Sequence, residues 1–304
     1  MRTQAVAQPK PPRAVVQPPP APPVAQPPPP PVAPAAPTQT LVQPHIEAPP
    51  PGVFPRPVRD VFEAQLALAR QAISSGSLDG VIGSQTRAAL RAFQQKEHLP
   101  PTEALDAATR ERLLLSAPPY TNYTVTAGDL ARLQPLRGTW LGKSQQSALD
   151  YETILELAAE KSHSNPKLVR QLNPSVDWDH VTPGTSLQLP DVAYADAGEK
   201  AAFATISLGG KVLEAFDSNT NLLLHFPCSI AQRVEKRPVG ELHVAAIAPN
   251  PNYTFDPAVF PESAEARELK RKLILPPGPN NPVGVAWISL DKPGYGIHGT
   301  PGPE

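Results

Sequence analysis

Apolar residues recur at helical spacing through Phe62, Leu66, Ala69 and Ile73, break at Asp79-Gly80 and Ile82-Gly83, and resume with Ala89, Leu90 and Phe93. The pattern predicts two helices joined by a glycine-bearing loop. A third helix is expected from Asp106, whose carboxylate can cap the amides of Ala107 to Thr109, through Leu113 to Leu115. These segments make a three-helix unit of about 60 residues, small enough for a binding module and poor in clustered polar groups. Alternation then takes over at Tyr123-Thr124-Val125-Thr126-Ala127-Gly128-Asp129, which reads as a strand. A helix is expected over 153–160, and Asn165-Pro166 provides an N-cap and first-turn proline for another, running through Leu168, Val169 and Leu172 to a stop before Pro174. Pro183-Gly184 turns the chain into a last short strand, 186–190. Residues 130–150 form an insertion between the first strand and its helix.

From Ala201 the period is two. The segments 203–208 and 211–216 flank Gly209-Gly210, a dipeptide suited to the positive φ angles of a two-residue hairpin turn. Further strands are predicted at 222–230, 240–248 and 285–290, with a brief surface helix over 263–272. Repeated short strands favour a β-sandwich or open barrel.

Composition changes the picture at the front of the chain. The 304 residues include 43 prolines, far above the roughly 5% of average usage, and they crowd into 8–57. Such a tract lacks backbone donors and favours extended polyproline II, so it reads as a disordered spacer. The fold class is therefore multidomain α+β: a spacer (1–57), a three-helix domain (58–117), a βααβ domain (120–191) and a mainly-β sandwich (200–304). A net charge of -1 argues against nucleic acid or an acidic membrane as a general partner. No stretch approaches the roughly 20 apolar residues of a membrane span, and no signal-like segment follows Met1-Arg2-Thr3-Gln4. A lost signal or anchor in front of the spacer is one expectation this raises. Cys228 is the only cysteine, which excludes a disulfide within the chain.

Candidate chemistry sits in Gly294-Tyr295-Gly296-Ile297-His298-Gly299-Thr300. A histidine between glycines, following Tyr-Gly-Ile, lets the backbone approach a ligand closely and presents an imidazole that exchanges a proton near neutral pH. No pair of histidines or cysteines has metal-ligand spacing, so no metal site is expected.

Three resemblances build on these residues. The block from Leu78-Asp79-Gly80 through Thr86, Ala89-Leu90 and Phe93-Gln94 resembles peptidoglycan-binding-like helical domains. The βααβ section, with Leu172-Asn173-Pro174 after its second helix and Pro183-Gly184 before its last strand, resembles a LysM domain, which implies glycan binding. The order Phe226-Pro227-Cys228-Ser229-Ile230, Pro238-Val239-Gly240, Asn250-Pro251-Asn252-Tyr253, Asn281-Pro282-Val283-Gly284 and Tyr295-Gly296-Ile297-His298-Gly299-Thr300 resembles the catalytic domain of L,D-transpeptidases of the YkuD type.

That last resemblance implies acyl transfer between peptidoglycan stem peptides through a cysteine thiolate, with His298 as the base that draws the thiol proton. A thiol with a pKa near 8.5 is mostly protonated at neutral pH and needs such a base. The resemblance also implies that Tyr253, Asn281, Gly284, Tyr295, Gly296, Gly299 and Thr300 line the substrate site. The family's Ser-His-Gly-Cys segment would begin beyond position 304, and Cys228 is expected to be a small buried residue rather than a nucleophile. This chain is thus expected not to crosslink by itself and to expose apolar surface and an unpaired edge on its last strands. It is expected to work as a monomer without cofactor, on the periplasmic side of the cell envelope, with peptidoglycan stems and glycan strands as partners. A non-catalytic wall-binding protein with a degenerate transpeptidase domain is the alternative.

Overall fold

A computed structural model describes residues 52–192, 199–231, 234–260, 263–269 and 271–302. The spacer expected over 1–57 lies outside them except for 52–57. All belong to the unit spanning Ile46–Glu304.

The first section opens with β1 (Arg56–Pro57), α1 (Val61–Ala69), α2 (Ser84–Lys96), α3 (Ala107–Arg112) and β2 (Leu114–Leu115). Asp60 caps α1 by accepting from the Glu63 amide at 2.8 Å, and Asp106 caps α3 through the Thr109 amide at 2.8 Å. Leu66, Leu90, Phe93, Leu113 and Leu115 are buried together. The expected run of α3 through Leu115 is corrected. Leu113 and Leu115 are buried while Leu114 is exposed, which is a period of two, and β2 pairs antiparallel with β1 instead.

The second section contains β3 (Tyr120–Thr124), α4 (Ala127–Ala131), α5 (Trp140–Ser144), α6 (Ile154–Lys161), α7 (Pro166–Leu172) and β4 (Ser186–Pro190). Strands β3 and β4 pair antiparallel, with Tyr120 opposite Pro190. Asn165 caps α7 as its sequence predicts, accepting from the Lys167 amide at 2.9 Å. Val125, Ile154, Ala158, Val169 and Leu187 form the core. The strand expected through Asp129 ends at Thr124, because the Thr126 hydroxyl accepts from the Asp129 amide at 3.0 Å and starts α4.

Burial raises the affinity of the Asp129 carboxyl for a proton, but hydrogen bonds from Tyr123 at 2.6 Å and from the Thr126 hydroxyl and amide outweigh it. The net shift is downward. A depressed carboxylate contributes stability above its unfolded pKa, and that contribution is lost as pH falls through the folded value. Asp129→Ala is expected to cost about 1–3 kcal/mol at neutral pH. In urea melts, its deficit against the parent should shrink below about pH 4. A deficit unchanged by pH would contradict the carboxylate's role.

The third section has an antiparallel sheet ordered β5 (Phe203–Ser207), β6 (Val212–Phe216), β7 (Leu222–Pro227). It continues with β8 (Val244–Pro249), β9 (Tyr253–Phe255), α8 (Ala264–Glu268), β10 (Leu273–Leu275), β11 (Ala286–Leu290) and β12 (Gly296–His298). A second sheet has the order β8-β11-β12, and β9 pairs with β10. Mixed helix with several small sheets is thus the observed architecture. Val244 and Ile247 of β8 are exposed.

The expected two-residue hairpin is also corrected. The turn spans 208–211, and the left-handed residue is Lys211, with φ 53°, rather than either glycine. Lys211 donates its amide to Ser207 O at 2.7 Å. A Cβ on Gly210 would fall 2.9 Å from Ser207 Oγ, so a side chain there would displace the Ser207 hydroxyl, and φ places no demand for glycine at this position.

The loop after α1 fastens the sections together. His225 on β7 donates its amide to Ala72 O at 3.0 Å and accepts from the Ser74 amide at 2.7 Å. Leu78 donates to His163 O at 2.8 Å, while its own carbonyl accepts from Asn165 at 2.9 Å. Arg70 adds hydrogen bonds to the carbonyls of Ala117, Pro118 and Asp191.

Candidate functional site

His298 ends β12, directly opposite Trp287 on β11. Their rings stack with centroids 5.3 Å apart and planes 14° from parallel. The Trp287 indole is held in turn by its N–H donating to Ser289 Oγ at 2.8 Å. Gly296 makes room for this ring, since a Cβ there would lie 2.5 Å from it. His298 Nδ1 lies 2.6 Å from the carbonyl oxygen of Gly299. A carbonyl only accepts, so Nδ1 carries the hydrogen and the neutral imidazole presents Nε2 as its open lone pair. The side chain is exposed, as a base that must reach a substrate-bound group requires.

Gly299 is itself fixed by a backbone crossing. Gly284 has φ +62°, and a Cβ on it would sit 2.9 Å from Gly299 Cα; the reverse approach is 3.3 Å. Two glycines touch where two side chains would not fit. Tyr295 precedes β12 and lies beneath the Lys292 ammonium, 4.4 Å from its ring centroid. Thr300 follows Gly299 and lines a cleft.

That cleft has a volume of about 720 Å³ and collects Ser74 from the first section, His163 from the second, and Lys211, Cys228, Ile230 and Thr300 from the third. Sequence reasoning did not find it, because it is assembled from three sections whose approach no local pattern encodes. Cys228 follows β7, donates its amide to Lys211 O at 2.8 Å, and is half-buried. Burial pushes its thiol above the ordinary value, which leaves little thiolate at neutral pH. Among the described residues no cluster of histidine, cysteine and carboxylate side chains could hold a metal ion.

Tyr253 and Asn281 sit elsewhere than on this open face. Tyr253, on β9, is half-buried in the cluster of Leu149, Phe255, Leu273 and Leu275. Its ring is 6.2 Å from Trp140, and burial pushes its hydroxyl pKa up. Asn281 is fully buried. Its amide donates to Pro276 O at 2.8 Å and its Oδ1 accepts from the Val283 amide at 3.0 Å. Asn281 therefore shapes the turn that delivers Gly284 to Gly299.

Comparison with known proteins places this geometry in context. Residues 58–113 match the family model described as "Putative peptidoglycan binding domain". Over 153 residues of its C-terminal part, half of the chain, the sequence is 25% identical to a protein of Bacillus licheniformis named "Putative L,D-transpeptidase YkuD", covering 73% of that protein. A Bacillus subtilis protein of the same name is 25% identical over 152 residues, again half of this chain and 73% of the relative. A peptidoglycan-binding domain and a distant likeness to L,D-transpeptidases support a cell-wall enzyme or binding role. No helix among the described residues is long and apolar enough to cross a membrane.

Proposed function

We propose that the chain serves L,D-transpeptidation of peptidoglycan, its helical section holding the wall and His298 acting as the general base. The observation that carries this is the pairing, in one chain, of a match to a peptidoglycan-binding model over 58–113 with an exposed His298 whose Nε2 is left as acceptor, two positions before Thr300, which lines the cleft. In the reaction that this likeness implies, Nε2 takes the proton of a cysteine thiol other than Cys228, the one cysteine of residues 1–304; the thiolate attacks the carbonyl of the donor stem's third residue, and D-alanine leaves with the returned proton. The acyl group then passes to an amine of a second stem and frees the thiol.

Cys228 is not that thiol on this reading, because its burial works against the thiolate. Tyr295, Gly296, Gly299 and Thr300 border the stem peptide, while Tyr253, Asn281 and Gly284 shape the floor behind it. Residues 120–191 act as a LysM-like module that touches glycan strands. The chain works as a monomer in the cell envelope, on its periplasmic side, and needs no cofactor.

Titrating a soluble tetrapeptide stem into the labelled chain tests the reading. Amide signals of His298, Thr300 and the residues around Cys228 are expected to move together; a spectrum unchanged at saturating stem would sink it. In the same samples, mass spectrometry should show no new crosslinks and no carbapenem adduct on Cys228. Either product would overturn the structural assignment of that cysteine. The raised thiol also favours a second reading, a non-catalytic wall-binding protein with a degenerate transpeptidase domain, and stem binding confined to the helical section would select it.

A further inference from the structure

The segment that the sequence marks as an insertion, residues 130–150, is attached to the third section at two points, its middle and its C-terminal end. At the first, Glu265 accepts from the amides of Trp140 and Leu141 at 2.8 and 2.9 Å, and the Trp140 ring stacks on Phe255 at 4.4 Å and 12°. At the other, Leu149 donates its amide to Pro277 O at 3.0 Å and accepts from the Asn280 amide at 2.9 Å. The Asn280 side chain donates to Asp150 O at 3.0 Å. Gly278, with φ +145°, lies so close that a Cβ on it would be 2.2 Å from Leu149 O. Backbone meets backbone there.

From this junction the chain of contacts runs straight to the base. Asn281 donates its amide to Gly278 O at 3.0 Å, and Gly284 donates to Asn281 O at 2.8 Å. Gly284 packs on Gly299, and the Gly299 carbonyl holds His298 Nδ1. As far as Gly299 each link is backbone on backbone, so a displacement at Leu149 has no flexible side chain in which to dissipate before it reaches the carbonyl that holds the imidazole.

We infer that residues 130–150 are a positioning clamp: through 277–284 they fix the Gly299 carbonyl that selects the Nδ1–H tautomer of His298. Leu149, Gly278 and Asn280 are then positioning residues for the imidazole, although none of them touches it. The functional value of the clamp rests on His298 being the base proposed above, whereas the mechanical coupling does not.

Two-bond nitrogen–proton NMR correlation on the histidine-labelled 304-residue chain reads the tautomer directly. The parent is expected to show Nδ1–H at His298. Gly278→Ala should shift the population toward Nε2–H by about fivefold, the effect of losing one net hydrogen bond. Asn280→Ala should shift it the same way by about twofold or more. His225, whose Nδ1 faces Glu214 at 3.0 Å outside this relay, should keep its pattern in both variants. Should Gly278→Ala fail to fold, Asn280→Ala decides. Folded variants with the parent's His298 tautomer would overturn the inference, as would a parent chain without Nδ1–H at His298. Neither outcome depends on whether the chain binds stem peptides, so the two readings fail separately.

Discussion

Phe93→Ala is expected to lower the unfolding free energy of the 56–115 section by about 3–5 kcal/mol, the usual range for removing a fully buried aromatic. The ring is 1% exposed and belongs to a core with Leu66, Leu90, Leu113 and Leu115, each at 0%. Leu168 belongs to the same core, and Tyr120, Leu172 and Leu222 pack against it, so its walls are held from outside the 56–115 section and cannot freely collapse into the void. Adjacent polar anchors offer no compensation: the Gln94 amide already donates to Thr102, Ala104 and Thr109 from a fully buried position. Urea denaturation followed by circular dichroism checks the figure, and a loss under about 1 kcal/mol would mean the core is not closed around this ring. Because the same helices carry the proposed wall contact, the variant should also lose most of its affinity for peptidoglycan at a temperature where the rest of the chain stays folded.

Gly284→Ala is expected to be nearly as costly, and its cost falls on the site. A left-handed φ of +62° already disfavours any side chain, by about 1–2 kcal/mol. The added Cβ would also come 2.9 Å from Gly299 Cα and 3.0 Å from its carbonyl carbon. Backbone cannot rotate away as a side chain can, so either the 281–284 turn or the 298–300 segment must shift. The expected total is about 3 kcal/mol, with overpacking added to the φ penalty, together with loss of the His298–Gly299 hydrogen bond seen by NMR. Gly302 has the same φ, and a Cβ added there would meet no atom within 4 Å, so its substitution should cost only the φ penalty. Equal losses at the two positions would show that the crossing carries no strain.

How legible these features were in the sequence follows from their range. The caps at Asp106 and Asn165 were readable because a capping side chain and its amides lie within three residues. The core positions of α2 were readable from a 3.6-residue period. Leu113 to Leu115 misled, because three consecutive leucines satisfy either period and only pairing with Arg56–Pro57 decides between them. Gly209-Gly210 misled in another way: a double glycine signals freedom in φ, yet the left-handed residue of the turn is Lys211.

The candidate site divides along the same line. His298 and its flanking glycines stood out locally, and the family resemblance gave them a role. Asn281 also stood out, but its position beside Pro282 could not show that its amide would be buried and used up by Pro276 and Val283. Trp140, Leu149 and Gly278 carried no local mark of their importance, since each matters through a partner more than a hundred positions away. The insertion of residues 130–150 engages the third section through Trp140, Leu141 and Leu149.

Cosedimentation of the 304-residue chain with purified peptidoglycan sacculi tests the central claim most directly. The chain should pellet with the sacculi at physiological salt, and the Phe93→Ala variant should remain largely in the supernatant above the melting point of its helical section. A parent chain that stays in solution like an unrelated control protein would contradict the wall-binding role on which the account stands.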